Sequence, residues 1–149
     1  MRFSAEVRLR PALEEDLDSI LAVESSWETT PHWTREQFVV ELGSQRSLFL
    51  VAEGAGVSGY AVAWVVEAEA QVLSIAVHPS STRRGTGRAL FRELLGRARA
   101  RGCSIATLEV SERNVAARRL YESEGFQETG RRPRFYPDSS DAVLMDKPL

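Results

Sequence analysis

The sequence has little of what several classes of protein require. Its 149 residues include one cysteine, Cys103, and two histidines that lie far apart, His32 and His78. One cysteine cannot form an internal disulfide, and there is no Cys/His cluster that would hold zinc, so we predict no metal site. No apolar run approaches the roughly 20 residues of a membrane helix, and the N-terminus lacks the apolar region of a signal peptide. We therefore expect a cytoplasmic protein with no membrane partner.

The charge is nearly balanced. The chain has 19 basic and 21 acidic residues, a net charge of −2, which argues against non-specific binding to nucleic acid as its main task. A hydrophobic fraction of 43% and a charged fraction of 27% are ordinary for a globular protein. The length predicts a single domain, residues 1–149, with its own core. Composition leaves a monomer and a homodimer equally open.

Hydrophobic periodicity and turn residues predict an α/β chain with the element order β-α-α-β-β-β-α-β-α-β-β. A meander of strands followed by strand–helix–strand crossovers implies a mixed sheet of about seven strands flanked by about four helices. The strand at 57–66 is apolar on both faces, which places it in the centre of the sheet. The predicted strands are 7–10, 47–53, 57–66, 71–77, 104–110, 126–131 and 142–147. The predicted helices are 13–25, 34–43, one that follows Gly87 and ends at Gly102, and 114–124.

A glycine-bearing loop joins the fourth strand to the third helix. Gly85 and Gly87 precede the helix, and Arg83, Arg84 and Arg88 surround them. The free N–H groups of a helix N-terminus, with the helix dipole behind them, form an anion site suited to phosphate. A nucleotide-binding P-loop would need Gly-Lys-Ser/Thr here, and Gly87 is followed by Arg88 instead. The remaining alternative is a plain glycine turn with a solvated basic rim.

Two segments carry a family resemblance. The run AVHPSSTRRGTGRAL resembles motif A of the GCN5-related N-acetyltransferases (GNAT), Q/R-x-x-G-x-G/A, with Thr82 at the leading Gln/Arg position. The run LEVSERNVAARRLYESEGF resembles the second conserved block of that family, with Asn114 and Tyr121 in place. Over residues 72–147 the chain looks most like the ribosomal-protein-alanine N-acetyltransferases. Trp33 and the Thr-Arg-Glu-Gln-Phe after it fit the early helix of that subfamily.

The resemblance implies a GNAT fold, with a mostly antiparallel sheet, and acetyl-CoA as co-substrate. It implies that the loop amides hold the pyrophosphate of coenzyme A, with Arg83 or Arg84 supplying the charge that Thr82 lacks. It also implies that amides of the preceding strand receive the acyl oxygen and the pantetheine, and that Asn114, which caps its helix, contacts the cofactor. The cofactor-binding residues expected in the loop and strand are Ile75, Ala76, Val77, Arg83, Arg84, Gly85, Thr86, Gly87, Arg88 and Ala89.

Acetyl transfer to an amine needs a group that accepts the proton of the amine and a group that stabilises the departing thiolate. Glu109, near the C-terminal end of a central strand, is the candidate base, acting directly or through a water. We expect neighbouring apolar residues to bury it partly and so raise its pKa. Tyr121, which also meets the cofactor, stands at the general-acid position of the family, and a phenol suits that role. The alternatives are a solvent-facing Glu109 and a Tyr121 that only seals its helix against the sheet.

Three residues are expected at the acceptor site: Trp33, Glu109 and Tyr136. The first hypothesis is acetylation of a protein N-terminus. The second is a GNAT enzyme for a small amine, such as an amino acid, a polyamine or an aminoglycoside. The third is a sensor that binds acetyl-CoA without catalysis, which the presence of both Glu109 and Tyr121 disfavours. The cluster of Arg131, Arg132 and Arg134 is interpreted as a solvated face, or as a site for the 3′-phosphate or a charged substrate.

Overall fold

One seven-stranded sheet organises the part of the chain that the computed structural model describes, residues 7–27, 32–82 and 84–149. The strand order is β1-β2-β3-β4-β5-β7-β6, and every neighbouring pair is antiparallel except β4 and β5. The strands are β1 (Arg8–Pro11), β2 (Ser47–Glu53), β3 (Val57–Val66), β4 (Glu69–Val77), β5 (Ile105–Ser111), β6 (Gln127–Arg132) and β7 (Ala142–Pro148). The α-helices in these residues are α1 (Leu17–Ser25), α2 (Arg35–Leu42), α3 (Thr86–Ala100) and α4 (Val115–Ser123).

The predicted fold class and element order are confirmed, and several element boundaries differ by one to four residues. The fourth strand begins at Glu69 rather than at residue 71, because Glu69 pairs with Val66 on one side and with Ile105 on the other. The first α-helix begins at Leu17 rather than at residue 13. The preceding residues form a 3-10 turn, whose Asp16 carboxylate accepts a hydrogen bond from the Leu13 N–H at 2.8 Å.

Capping residues mark the start of α2 and the end of α4, as the sequence predicts. The Thr34 hydroxyl accepts a hydrogen bond from the Gln37 N–H at 3.2 Å, and the Gln37 side chain accepts one from the Thr34 N–H, which completes a capping box. At the end of α4, Gly125 has φ = +96°, a left-handed conformation that glycine adopts without strain. The chain thus reverses sharply, and the Phe126 N–H donates to the Tyr121 carbonyl at 3.0 Å.

The sheet is covered on both faces, and β3 lies at its centre, as predicted. Residues 59–63 of β3 are all buried. On one face, α3 and α4 pack on a core that includes Leu90, Leu94 and Val110. On the other face, α1 and α2 pack on a second core that includes Ile20 and Phe38. No helix in the described residues is long and apolar enough to cross a bilayer.

The sheet opens between β4 and β5. Their parallel pairing runs only from Glu69 and Ile105 to Val72 and Leu108. At this point Leu73 is an extra residue in β4, since Val62 pairs with Ser74 while Ala63 pairs with Val72. Such a bulge bends and twists its strand. Beyond it, residues 74–77 of β4 pair only with β3 and residues 109–111 of β5 pair only with β7; the unpaired gap between the two strands is called the cleft below.

Candidate active site

The loop before α3 presents free backbone donors. Gly85, the N-cap residue, has φ = +77°, and no side chain caps the helix. The Ala89 N–H donates to the Gly85 carbonyl at 2.9 Å, so the amide of Ala89 is already engaged. The N–H groups of Thr86 and Arg88 have no backbone acceptor in the described part of the chain. These donors at the positive end of the α3 dipole can receive an anion.

The two glycines of the loop leave room for a bulky ligand. A Cβ atom on Gly85 would meet nothing within 4 Å, and one on Gly87 would meet only the Val77 Cγ2 atom, at 3.6 Å. A phosphate group can therefore approach the backbone closely at both positions. This space and the free amides fit the pyrophosphate of coenzyme A.

The arginines of the loop do not act together. Arg84 is exposed at the loop, whereas Arg83 lies outside the described residues. The Arg88 side chain turns towards the end of α4, where it forms an ion pair with Glu124 and donates to the Ser123 hydroxyl at 3.0 Å. Arg92 shares the same carboxylate at 2.8 Å, and these two cations hold the pKa of Glu124 below its usual value. Glu124 thus offsets the positive charge that the sequence predicts for Arg88.

Backbone groups of β4 line the cleft on one side. The His78 N–H donates to the Ser58 carbonyl of the β3 side at 2.7 Å. Because successive residues of a strand turn their N–H and C=O groups to opposite sides, the amides of Ile75 and Val77 face the cleft and that of Ala76 faces β3. The Trp27 Nε1 donor reaches the Val77 carbonyl at 2.9 Å, on the cleft side. Of the three predicted strand amides, two are therefore available to a ligand.

Tyr121 is buried in the core beneath α4. Its side chain is 7% exposed and packs against Phe91 and Phe126, with ring centroids 5.1 and 6.2 Å apart. Its hydroxyl makes no hydrogen bond to the side chain or backbone of a described residue. Burial, with a smaller contribution from nearby Tyr136, raises the pKa of Tyr121 to about 12. The phenol is therefore protonated at neutral pH and has its hydrogen free to donate.

Glu109 is more exposed than the sequence analysis expects. Its side chain is 38% exposed, and its Oε1 atom lies 3.1 Å from Arg132 Nε. Its burial is limited because Glu109 points to the α1 side of the sheet, where α1 packs over β3 and β4 rather than β5. One member of the predicted arginine cluster therefore pairs with the candidate base. Another, Arg131, pairs with Glu128 at 3.2 Å.

The other predicted residues have identifiable contacts. Tyr136 is half-buried, and burial together with the negative charge of Glu109 raises its pKa. Trp33 stacks on Phe38 with centroids 5.2 Å apart, so it forms part of the core beneath α2. The Asn114 side chain accepts a hydrogen bond from the Ala117 N–H at 3.2 Å, which confirms it as the N-cap of α4.

Three further polar side chains, absent from the predicted site, meet on the α1 side of the cleft. Tyr60 donates to Glu24, with 2.5 Å between the oxygens, and its hydroxyl is 2.8 Å from Ser74 Oγ. One signal was available, because Glu24 is the only polar residue in the otherwise apolar helical repeat that starts at residue 13. No signal marked Ser74, because its position depends on the bulge.

Two other chemistries lack the residues they need. In the described part of the chain no group of three metal-ligating side chains is found. Cys103 is buried, and burial raises the pKa of its thiol, which disfavours the thiolate that a nucleophile needs. What the described residues bring together is an anion-binding helix end, a cleft with free amides, a protonated phenol and carboxylates on the opposite side.

Known proteins resemble this chain in sequence and in fold. The sequence pattern of the acetyltransferase (GNAT) family matches residues 10–126. The chain is 34% identical over 137 residues to the [ribosomal protein bS18]-alanine N-acetyltransferase of Escherichia coli, covering 90% of this chain and 92% of that protein. It is 34% identical over 134 residues to a putative enzyme of the same name from Bacillus subtilis, covering 88% of each. The crystal structure of the Escherichia coli ribosomal-protein-S18-alanine N-acetyltransferase superposes with a TM-score of 0.88 at 31% identity, covering 97% of this chain and 94% of that one.

Proposed function

The chain belongs to the acetyltransferase (GNAT) family and is an acetyl-CoA-dependent N-acetyltransferase, and we propose that its acceptor is the α-amino group of a protein N-terminus. The observation that carries this proposal is the extent of the similarity to the ribosomal-protein-alanine enzymes. It covers 90% of the chain, and therefore includes the N-terminal half that forms the α1 side of the cleft. A cytoplasmic location stays a prediction.

We infer that the cofactor enters from the α3 side. The amides of Thr86, Gly87 and Arg88 would hold its pyrophosphate, and the amides of Ile75 and Val77 would receive the pantetheine and the acyl oxygen. Hydrogen-bond donors fixed in place before the reaction stabilise negative charge on an acyl oxygen without reorganisation. Acetyl-CoA supplies the thioester that the amine attacks.

The two proton-handling groups would lie on either side of the reacting carbon. Tyr121, buried on the α4 side and protonated, would donate its hydrogen to the departing sulfur. Glu109 would accept the proton of the amine, either directly or through a water. Its carboxylate is paired with Arg132 and remains exposed to solvent, which could carry the proton away.

A turnover assay that follows the release of free thiol from acetyl-CoA tests the acceptor. One set of acceptors contains short peptides with free N-terminal Ala, Ser or Met, including the N-terminal peptide of the ribosomal target. The matched control is the same alanine peptide with its amine already acetylated. We expect turnover of the free alanine peptide and none of the blocked one.

A second set of acceptors tests the alternative, a small-amine acetyltransferase, with free amino acids, polyamines and aminoglycosides. Turnover restricted to this set would overturn the proposed acceptor while leaving the acetyltransferase intact. Tight binding of acetyl-CoA without turnover on either set would favour the non-catalytic sensor.

A further inference from the structure

A chain of hydrogen bonds runs from α1 to the edge of the cleft and takes no part in the mechanism proposed above. Glu24 Oε1 accepts from the Tyr60 hydroxyl, and Tyr60 is hydrogen-bonded to Ser74. The other oxygen of Glu24 accepts from the Trp33 N–H at 2.9 Å and lies 3.5 Å from His32 Nδ1. Tyr60 is fully buried, and the Glu24 side chain is 12% exposed. Within the described ranges, neither Arg nor Lys forms a salt bridge with this carboxylate.

The Glu24 carboxylate determines which atom donates and which accepts in each hydrogen bond of this series. An ionised carboxylate has acceptor atoms only, so the hydrogen of the Tyr60 hydroxyl must point to Glu24. Burial and the neighbouring charge of Glu24 raise the pKa of Tyr60 well above its usual value, which keeps this hydrogen in place. The bond between Tyr60 and Ser74 must then be donated by Ser74. The Ser74 oxygen is left with lone pairs and no hydrogen to offer a ligand.

Ser74 stands where an amine would approach the acyl group. It follows the bulge at Leu73 and precedes Ile75, whose amide faces the cleft. Its side chain lies on the α1 side of the sheet, opposite the anion site before α3.

We propose that Ser74 Oγ accepts a hydrogen bond from the N–H of the incoming amine, and that Glu24, acting through Tyr60, is a positioning residue that keeps the lone pairs of Ser74 turned towards that amine. The proposal rests on the proposed function only in requiring an amine that enters from the α1 side. It applies equally to a protein N-terminus and to a small amine.

Glu24→Gln tests the direction of these hydrogen bonds, because glutamine has nearly the same shape as glutamate but can donate. The amide can donate to Tyr60, which would then donate to Ser74 and turn the Ser74 hydrogen towards the amine. We expect kcat/KM for the acceptor to fall about tenfold or more, with the dissociation constant of acetyl-CoA unchanged. Tyr60→Phe instead lets Ser74 rotate freely and should cost less than Glu24→Gln.

The double variant gives the decisive comparison. With Phe at position 60, Glu24 no longer controls Ser74, so Glu24→Gln should add nothing further to the loss. Ser74→Ala should likewise be insensitive to Glu24→Gln. Asp18→Asn, the same change of charge at an exposed position of α1, is the matched control and should leave activity unchanged. Urea denaturation of each variant establishes that it is folded.

Two results would overturn the proposal: losses that add in the double variant, or a Glu24→Gln variant that weakens acetyl-CoA binding as much as it slows turnover. Measurements with the best acceptor from either set keep the proposal separate from the proposed function. If only a small amine is acetylated, the protein N-terminus is rejected as acceptor. The relative losses of kcat/KM among the variants, measured with that small amine, still decide the role of Ser74.

Discussion

Replacing Tyr121 by phenylalanine should lower the turnover of the enzyme while leaving the stability of the fold nearly unchanged. The ring packs against Phe91 and Phe126, whereas the hydroxyl makes no hydrogen bond to a described residue. Tyr121→Phe therefore retains the packing and breaks no hydrogen bond between described residues. We expect the free energy of unfolding to change by less than the roughly 1 kcal/mol that a typical hydrogen bond contributes.

The effect on turnover should be much larger. A hydrogen bond to a charged group contributes about 1.5–3 kcal/mol, or about 10- to 150-fold in rate. Positioned proton donors contribute typically about 10²- to 10⁴-fold. We therefore expect kcat of Tyr121→Phe to fall about 100-fold or more. Because the pKa of Tyr121 is about 12, its ionisation should produce no alkaline decline of kcat between about pH 7 and pH 10.

Two measurements together test this reasoning. Thiol release at saturating acetyl-CoA gives kcat, and calorimetric titration gives the dissociation constant of acetyl-CoA. The expected result is a large loss in kcat with little change in affinity. Equal losses in turnover and in acetyl-CoA binding would refute the assignment of Tyr121 as the proton donor, because the hydroxyl would then serve to hold the cofactor.

Three further predictions concern the glycine loop, the Glu41 contact and the dependence of stability on pH. Gly87→Trp should abolish the acetyl-CoA binding that calorimetry measures, without unfolding the protein. Gly96→Trp, at an open position on the same helix, is the control and should bind acetyl-CoA normally. Equal affinities of the two variants would argue against the pyrophosphate site. Glu41→Ala should lower the free energy of unfolding in urea by about 1–3 kcal/mol, since it strips the Trp64 Nε1 donor of its acceptor; an unchanged midpoint would contradict this. Burial raises the pKa of Tyr121 from about 10 in the unfolded chain to about 12. The contribution of the protonated phenol to the free energy of unfolding should therefore be complete below about pH 10 and be lost as the pH rises towards about 12. In denaturation titrations, Tyr121→Phe should reduce this loss.

The fold was predictable because its boundaries are set by local signals. Thr34, Asn114 and Gly125 act within three or four residues of themselves, and the structure shows each in its expected cap. The anion site is equally local, since the glycines and the free amides belong to one turn of chain. Short-range geometry of this kind can be inferred from residue types alone.

What could not be predicted depends on contacts across the sheet. The cleft begins at Leu73, and no residue type in an apolar strand distinguishes a bulge from a regular pair. The exposure of Glu109 depends on how far α1 extends over the sheet, which the helical period does not indicate. Arg88 is predicted beside the loop and lies there, yet its charge is taken by Glu124, which is 36 residues away in the sequence.

In the proposed mechanism, the bulge in β4 also makes the two halves of the chain act together. The C-terminal half supplies the anion site and Tyr121 on the α3 side, and the N-terminal half supplies Glu24 and Tyr60 on the α1 side. A regular β4–β5 pair would close the sheet between these groups and use the amides of Ile75 and Val77 for pairing. The single extra residue leaves those amides free and opens one cleft to both faces. An amine and a thioester that approach from opposite sides of the sheet can therefore meet at the same strand.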